Sequence, residues 1–351
     1  MSGYHKNSWL LVDCLREPDR VLHLNDDDWT ALISMARAEQ LAGTLAHRIS
    51  DNKRSKHIDI FVKDAAYDAD YQLRSALWEV DCARRALQDY NGPVVLMKGS
   101  AYAAAGLSAS HGRSIGDLDI MVSTGGLKEA EEMLLAAGWE WVKEDDYDDA
   151  YYRDHMHELP PLIHKDRDRM IDVHHTILPK TARPKPDAQA MLADAIQVSD
   201  GAIEGTHYIF MPEDMVCHSA AHLMADGDMS GGLRNLWDIH CLLTDFSGAA
   251  GDFWMRLKSR AEQHQLWEAV HLAARQANAL YGTNIPTDWM LWKLSDTLVQ
   301  KRLLARNSYG AQTNKILRFA FYVRSHWLRM PPMMLAGHLL TKWRKGHKAN
   351  P

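Results

Sequence analysis

Apolar side chains recur at every third or fourth position between residues 58 and 90, which is the spacing of an amphipathic helix. Three acidic residues, Asp26–Asp28, stand before another apolar stretch and are typical of a helix start. The Asn-Gly-Pro tripeptide at 91–93 predicts where the long helix ends, because glycine suits the position after a helix and proline cannot continue one. We therefore predict that residues 1–90 form a helical region.

The pattern changes after this tripeptide, and short strand-like runs take turns with helical spacing. Alternation of polar and apolar residues with a period of two is typical of a strand with one buried face. Four runs predict strands: Val94–Met97, Asp117–Val122, Trp139–Val142 and Arg169–His174. Helical spacing over Ala101–Gly106 and Leu127–Ala137 separates them, so residues 91–185 are predicted to form a small mixed sheet covered by helices.

The pattern becomes helical again from about residue 187, with breaks at Ser230–Gly232 and Ser247–Gly251. We predict a C-terminal helical domain over residues 186–351. The predicted fold class is thus α+β, with a small mixed β-sheet core flanked by N-terminal helices and by a C-terminal helical domain.

Composition places the chain among ordinary globular proteins. It has 351 residues, of which 46% are hydrophobic and 25% charged. We expect no transmembrane segment, since no apolar run reaches roughly 18 residues, and no signal peptide. The cysteines form no Cys-x-x-Cys pair, which predicts a reducing compartment and no zinc framework; they are Cys14, Cys82, Cys217 and Cys241. A cytoplasmic location follows as an expectation.

Charge is distributed unevenly along the chain. The net charge is −6, yet residues 301–351 contain eleven Lys and Arg residues and no Asp or Glu. Aromatic and aliphatic residues are interleaved with these cations. This segment predicts either a surface that contacts a polyanion, such as nucleic acid or anionic lipid, or an amphipathic helix pair packed on an acidic body.

The predicted sheet carries the residues with the clearest chemistry. Lys98-Gly99-Ser100 follows a buried strand and precedes a helix, a place where the backbone can approach a ligand and accept phosphate oxygens. Further on, Asp117 and Asp119 stand two residues apart on a predicted strand and therefore project to the same side. Two neighbouring carboxylates repel unless a cation joins them, and hard oxygen ligands suit Mg²⁺.

Asp172 lies between Ile171 and Val173 in another alternating strand. From an adjacent strand its carboxylate can join the same group. Three carboxylates can hold two metal ions about 4 Å apart, one activating the attacking hydroxyl and one neutralising the leaving pyrophosphate. The pattern therefore indicates a two-metal site that bridges to triphosphate oxygens.

Together these features resemble the nucleotidyltransferase fold of the polymerase-beta-like superfamily. More specifically, they are similar to a group of uncharacterised bacterial nucleotidyltransferases with Lys-Gly, an Arg shortly before Asp-x-Asp, an Asp-x-His strand and a helical C-terminal part. The resemblance covers about residues 25–245, and the stretches that carry it are Leu96–Ser100, Arg113–Val122, Leu134–Trp139, His157–Pro160, Ile171–His174 and Met211–Leu243.

The resemblance implies transfer of an NMP from an NTP such as ATP to an acceptor hydroxyl, with Mg²⁺ as cofactor and pyrophosphate as the second product. Gly99 and Ser100 would bind the nucleotide phosphates. Asp117 and Asp119 would bind metal, and Asp172 would be the third carboxylate, acting on the acceptor hydroxyl.

Five further residues are candidates for substrate contact. Lys98 and Arg113 are placed to neutralise phosphate charge, Arg113 by bidentate contact. His174, Arg234 and Asp238 are candidates for contact with the acceptor, which the resemblance suggests is a small molecule, a saccharide or a peptide product. The segment Leu107–Ile115 is longer than in the superfamily motif, and it predicts either a loop over the nucleotide or an altered site geometry.

Two other classes of function stay open. His218 and His222 are four residues apart on a predicted helix, with Asp226 one turn further. That spacing can place two imidazoles on one metal, with His155, His157, His174 or His175 as additional ligands, as in a His-liganded phosphoesterase. The chain can also be a non-catalytic module that binds nucleotide or nucleic acid.

Overall fold

The structure, a computed structural model, describes residues 8–52, 55–142, 152–198 and 207–329. It confirms the predicted α+β class, because helices enclose one mixed sheet. The helices are α1 (Trp9–Arg16), α2 (Asp26–Ala38), α3 (Ala42–Arg48), α4 (Lys56–Ala86), α5 (Lys98–Ala104), α6 (Leu127–Ala136), α7 (Ala188–Ala193), α8 (Pro212–Ala220), α9 (Gly232–Ala249), α10 (Phe253–Gln263), α11 (Trp267–Tyr281), α12 (Leu294–Leu303) and α13 (Lys315–Arg329). Within these ranges, no helix combines the length and apolar character that a bilayer crossing requires.

The sheet is mixed, with its parallel pairs in the middle. Its strands are β1 (Val95–Leu96), β2 (Leu118–Met121), β3 (Trp139–Trp141), β4 (Leu162–His164), β5 (Met170–His174), β6 (Ile196–Val198) and β7 (His207–Ile209). They lie in the order β3-β4-β5-β2-β1-β7-β6. β2 pairs in parallel with β5, and β1 in parallel with β7; the other neighbours are antiparallel. The two strands with the predicted carboxylates are therefore direct neighbours.

Local sequence accounts for the ends of several helices. The side chain of Asn25 caps α2, since its Oδ1 accepts a hydrogen bond from the backbone N–H of Asp28 at 2.9 Å. The predicted cap at Asp26–Asp28 is therefore wrong by one residue. These carboxylates lie in the first turn instead, where the helix dipole favours negative charge. Gly138, at φ +102°, follows the end of α6 as predicted.

The continuous helical pattern predicted from residue 187 is wrong in one place, because β6 and β7 lie there. Each of these strands has only three residues, too few for alternation to be visible. β7 is fixed by its parallel pairing with β1, in which Val95 lies opposite Tyr208. The sheet thus extends beyond residue 185, and the division into residues 1–90, 91–185 and 186–351 stays a prediction.

The N-terminal and C-terminal helices share one large apolar core, which extends from Leu10 to Phe321. A buried carboxylate also joins them. Glu39 is 2% exposed, and it accepts hydrogen bonds from the backbone N–H of Leu233 at 3.1 Å and from the Arg306 guanidinium. The two helical regions therefore depend on each other for burial.

The basic segment contributes to this core contact. Four of the basic residues within 301–329 make contacts inside the protein: Arg302, Arg306, Arg324 and Arg329. The exposed ones are Lys301, Lys315 and Arg318. Residues 330–351 lie outside the described residues. These internal contacts agree with the prediction that the segment packs on an acidic body. Contact of residues 301–351 with a polyanion stays a prediction.

Candidate active site

Pairing of β2 with β5 brings the predicted carboxylates together. Asp119 lies opposite Asp172 in the parallel register, and Asp117 immediately precedes β2 on the same side as Asp119. One carboxylate oxygen from each of the three residues lies within 4.8 Å of the others. Asp117 is exposed, Asp172 is half-buried and Asp119 is 3% exposed. The group therefore begins inside the protein and opens toward solvent.

Two basic side chains contact the buried member of this group. Lys98 Nζ lies 2.6 Å from Asp119 Oδ1, and His174 Nε2 lies 3.0 Å from the same oxygen. Burial alone would raise the pKa of Asp119, but Lys98 and His174 hold it well below its usual range. Burial alone would lower the pKa of Lys98, and the attraction of Asp119 outweighs this effect and raises it. Asp119 and Lys98 therefore both stay ionised.

Lys98 reaches Asp119 from an unusual backbone conformation. Its φ of +47° lies in the left-handed region, which a residue with a Cβ adopts at a cost of about 1–3 kcal/mol. Such conformations persist when the surrounding structure fixes them, often at functional sites. Here the ion pair with Asp119 and the end of β1 fix the residue.

The surroundings of Asp172 disfavour its ionised form unless a cation lies nearby. Burial and the neighbouring carboxylates of Asp119 and Glu158 raise its pKa to about 7. The triad carries three acidic groups in a small volume, and Lys98 compensates one of them. Oxygen donors with excess negative charge are the ligand set that Mg²⁺ prefers, so Asp117, Asp119 and Asp172 fit a divalent cation.

Gly99 and Ser100 lie in the first turn of α5 and not in a loop before the helix. A Cβ on Gly99 would stand 2.2 Å from Nη1 of Arg113, so glycine here makes room for the guanidinium. The structure does not bring the Ser100 side chain to the cavity beside the triad. Ser100 is 1% exposed, and its Oγ has no hydrogen-bond partner among the described residues.

Arg113 and Asp238, which the sequence placed in different roles, form a buried ion pair. Arg113 Nε lies 3.0 Å from Asp238 Oδ2, and both side chains are nearly buried. Arg234, one turn before Asp238 on α9, lines the same cavity and forms no ion pair within the described part of the chain. Arg234 is therefore the cation that remains available for an anionic ligand, while Asp238 positions Arg113.

One cavity is lined by seven of the ten predicted site residues, while Ser100, Asp172 and His174 are not among its lining residues. Lys98, Gly99, Arg113, Asp117, Asp119, Arg234 and Asp238 all line it. Its other polar side chains are Tyr102, Ser114, His218, Ser219, His222 and Asn235. Sequence reasoning considered His218 and His222 as metal ligands and missed the other four, of which only Asn235 had a visible signal, its position beside Arg234. Tyr102 and Ser219 are joined by a hydrogen bond of 2.6 Å across more than 100 residues of sequence.

The segment Leu107–Ile115 does not form a separate loop over the cavity. The hydroxyl and the backbone N–H of Ser108 donate to the carboxylate of Asp245 on α9 at 2.8 Å and 2.9 Å. This anchor holds the first half of the segment against α9, while Arg113, Ser114 and Ile115 reach the cavity wall. The longer segment therefore builds one side of the site.

His218 and His222 lie on the cavity wall, and the structure gives them no metal site of their own. In the described ranges, neither belongs to a group of three potential ligands. α8 continues into a π-helical turn, Ala221–Asp226. Burial lowers the pKa of His222 to about 3 and that of His218 well below its usual value. Both imidazoles are therefore neutral hydrogen-bonding groups.

His174 is 2% exposed, and its contact with Asp119 makes it a residue that positions a carboxylate.

Comparison with known proteins adds a family. A family model described as an uncharacterised nucleotidyltransferase matches residues 25–282. The match covers more than half of the chain, and it includes every residue of the cavity wall. A search of curated proteins finds no match.

Proposed function

The chain belongs to the uncharacterised nucleotidyltransferase family, and from this premise we propose a Mg²⁺-dependent transfer of an NMP from an NTP to an acceptor hydroxyl. The bond from the hydroxyl oxygen to the α-phosphorus forms, the bond from the α-phosphorus to the bridging oxygen breaks, and pyrophosphate leaves. The meeting of Asp117, Asp119 and Asp172 beside Lys98 supports this reaction most directly.

Bound at this triad, Mg²⁺ would supply charge neutralisation and Lewis acidity to the phosphate oxygens. The chain's own residues have separable tasks. Asp172, the half-buried carboxylate on β5, takes the proton of the acceptor hydroxyl as the bond to phosphorus forms. Arg234 provides the free positive charge for phosphate oxygens, and Lys98 keeps Asp119 ionised.

Uncharged polar side chains line the part of the cavity where the acceptor would bind. This acceptor is a small molecule, a saccharide or a peptide product. His218, His222 and Asn235 line the cavity, and the two imidazoles are uncharged. Such groups can hold a hydroxyl without ionising it. His174 and Asp238, candidates for acceptor contact from the sequence, act in this proposal through Asp119 and Arg113.

A cytoplasmic location agrees with an NTP substrate and with the four free cysteines, Cys14, Cys82, Cys217 and Cys241. The contact with a polyanion through residues 301–351 is a separate proposal that salt-dependent retention on heparin tests.

The test is incubation of the protein with each α-labelled NTP, Mg²⁺ and a cell extract, followed by detection of labelled metabolite or macromolecule. We expect label transfer with the wild type and a loss of at least about 100-fold in Asp172→Asn. Asp168→Asn is the matched control, because Asp168 lies in the turn before β5 at φ +54°, which asparagine tolerates. It should transfer label like the wild type.

Absence of label with every nucleotide would contradict the proposal and favour a non-catalytic binding module. Equal transfer by Asp172→Asn and wild type would contradict the role of the triad. The alternative of a phosphoesterase with His218 and His222 as its metal ligands has no support in the described ranges, because neither histidine belongs to a group of three potential ligands there.

A further inference from the structure

A second group of potential metal ligands lies beside the carboxylate triad. It consists of His157, Glu158 and His174, each of which offers one ligand atom within 4.8 Å of the others. His157 is 9% exposed and His174 2%. The group is thus enclosed, and the proposed nucleotidyl transfer uses His174 alone among the three.

Main-chain hydrogen bonds fix this group in place. Glu158 forms an antiparallel bridge with His174. The N–H of Leu159 donates to the carbonyl of Val173, and the N–H of His175 donates to the carbonyl of His157, each at 2.9 Å. The three side chains therefore project from a short ladder on β5 and not from independent loops.

The distances within the group are those of ligands around an ion. Glu158 Oε2 lies 3.6 Å from His157 Nε2 and 3.5 Å from His174 Nε2. These separations exceed the usual 2.7–3.2 Å range of hydrogen bonds. Two ligands of a tetrahedral ion with bonds of about 2.1 Å stand roughly 3.4 Å apart. The spacing of these atoms therefore matches that of ligands around a small cation.

In the part of the chain that the structure describes, each imidazole has one ring nitrogen without a hydrogen-bond partner, and it is not the nitrogen that faces Glu158. The Nδ1 atoms of His157 and His174 are buried and have no hydrogen-bond partner within the described residues, although buried polar atoms are normally paired. His174 Nε2 also contacts Asp119 Oδ1 at 3.0 Å, which links this group to the triad.

We propose that His157, Glu158 and His174 bind a divalent transition-metal ion, Zn²⁺ or a similar ion, at a site separate from the triad. Two imidazoles and one carboxylate favour such ions, whereas Mg²⁺ prefers oxygen ligands and keeps much of its water. One nitrogen of each ring and the carboxylate of Glu158 are the ligands. The distances assign Nε2 of each ring to the ion, so binding replaces the contact of His174 Nε2 with Asp119 Oδ1.

Co²⁺ is the probe, because its visible absorption reports the number and type of its ligands. The full-length protein is stripped with a chelator and titrated with Co²⁺ in excess Mg²⁺, which saturates the triad. We expect one equivalent of Co²⁺ per chain, competed by Zn²⁺. His157→Ala should weaken binding by more than about 100-fold, since loss of a ligand exceeds the usual effect of losing a residue that supports one.

Two controls separate this site from its surroundings. His155→Ala removes an imidazole two residues away and outside the group, and it should bind Co²⁺ like the wild type. Asp117→Asn/Asp172→Asn impairs the triad and should retain the same absorption. Glu158→Gln, which keeps the side-chain volume, repeats the test if His157→Ala fails to give the circular dichroism of a folded chain.

Three results would overturn the proposal. They are absence of Co²⁺ and Zn²⁺ binding by the wild type, unchanged binding in Glu158→Gln, and loss of binding in Asp117→Asn/Asp172→Asn. Co²⁺ binding is measured without any nucleotide. A failure of label transfer therefore leaves this test intact, and a failure of Co²⁺ binding leaves the transferase test intact.

Discussion

The guanidinium of Arg113 occupies the space where a side chain of residue 99 would lie. Besides Nη1 of Arg113 at 2.2 Å, a Cβ at this position would meet Cγ1 of Ile115 at 3.0 Å. Arg113 cannot move away easily, since it is paired with buried Asp238. Because residue 99 has no Cβ, Arg113 can pack against the first turn of α5 while it pairs with Asp238 on α9.

Gly99→Ala should consequently destabilise the protein by about 1–3 kcal/mol, the usual cost of overpacking, and should displace Arg113 from the cavity. Urea unfolding measures the free energy of unfolding, and titration with a labelled NTP measures the loss of affinity. Gly248→Ala is the control. Gly248 lies in α9, and a Cβ added there would meet no atom from the rest of the described chain within 4 Å, so alanine there should stabilise the helix by up to about 1 kcal/mol. Equal stability of Gly99→Ala and wild type would contradict the packing argument.

Individual residues of the site differ in how far the sequence could predict them. Asp117 and Asp119 were predictable as a pair because the period of a strand puts alternate residues on one side. The partner of Arg113 was not, since Asp238 lies 125 residues away and nothing local connects the two. The need for glycine at position 99 was not predictable either, because it comes from packing against Arg113 and not from the local sequence.

Helix α8 is tied to α10 by a carboxylate that has no contact with water. Asp214 is 0% exposed, and its oxygens lie 2.7 Å from Arg260 and 2.9 Å from His264. Burial alone would raise the pKa of Asp214, but the hydrogen bonds from Arg260 and His264 lower it below its usual value. α8 carries His218 on the cavity wall, so this contact supports the site from behind.

The stability of the protein should depend on Asp214 in acid. Because its pKa is lower in the folded than in the unfolded chain, ionised Asp214 stabilises the fold above the unfolded pKa of about 3.9. This contribution is lost as the pH falls from about 5 toward the folded pKa. Asp214→Asn should lower the free energy of unfolding by about 3–5 kcal/mol at neutral pH, as expected for an unpaired buried charge. It should also make the free energy of unfolding depend less on pH in the acid range.

Urea unfolding between pH 3 and pH 7 is the measurement. Asp70→Asn serves as control, since Asp70 pairs with Arg74 on the exposed side of α4 and such pairs contribute about 0–1 kcal/mol. A curve for Asp214→Asn parallel to that of the wild type would show that Asp214 does not titrate as described.

Elements were predictable where they are long or strictly periodic. α4 and α6 show their apolar faces over several turns, and β2 and β5 each carry an Asp between two apolar residues. β6 and β7 have three residues each and depend on pairing with strands distant in sequence. Local pattern contains no information about such pairing, so the extension of the sheet was missed.

At the scale of the whole molecule, one buried ion pair joins the end of α2 to the segment between α12 and α13. Glu39 is contacted by Arg306 and by the N–H of Leu233, and both side chains are nearly buried. Arg306→Ala should leave the carboxylate without its cation and cost about 3–5 kcal/mol. Thermal unfolding should show a single transition at a lower temperature, because the two helical regions share one core.

Lys301→Ala is the matched control, since Lys301 is an exposed cation in the same basic segment. It should unfold at the temperature of the wild type. Two separate transitions in Arg306→Ala would contradict a shared core. The sequence showed that residues 301–351 contain no acidic residue, but it did not show that Arg306 points into the protein. Its acidic partner, Glu39, lies near the other end of the chain.

The parallel pairing of β2 with β5 also bears on synthesis of the chain. His174 follows Asp119 by 55 residues, and the Arg234–Asp238 wall comes still later, so the carboxylates and their surrounding cations emerge from the ribosome at well-separated times. A nascent chain that has made only Asp117 and Asp119 has no neighbouring strand to complete the group. The protein therefore completes this group of carboxylates and cations only late in translation, when most of the polypeptide has already left the exit tunnel.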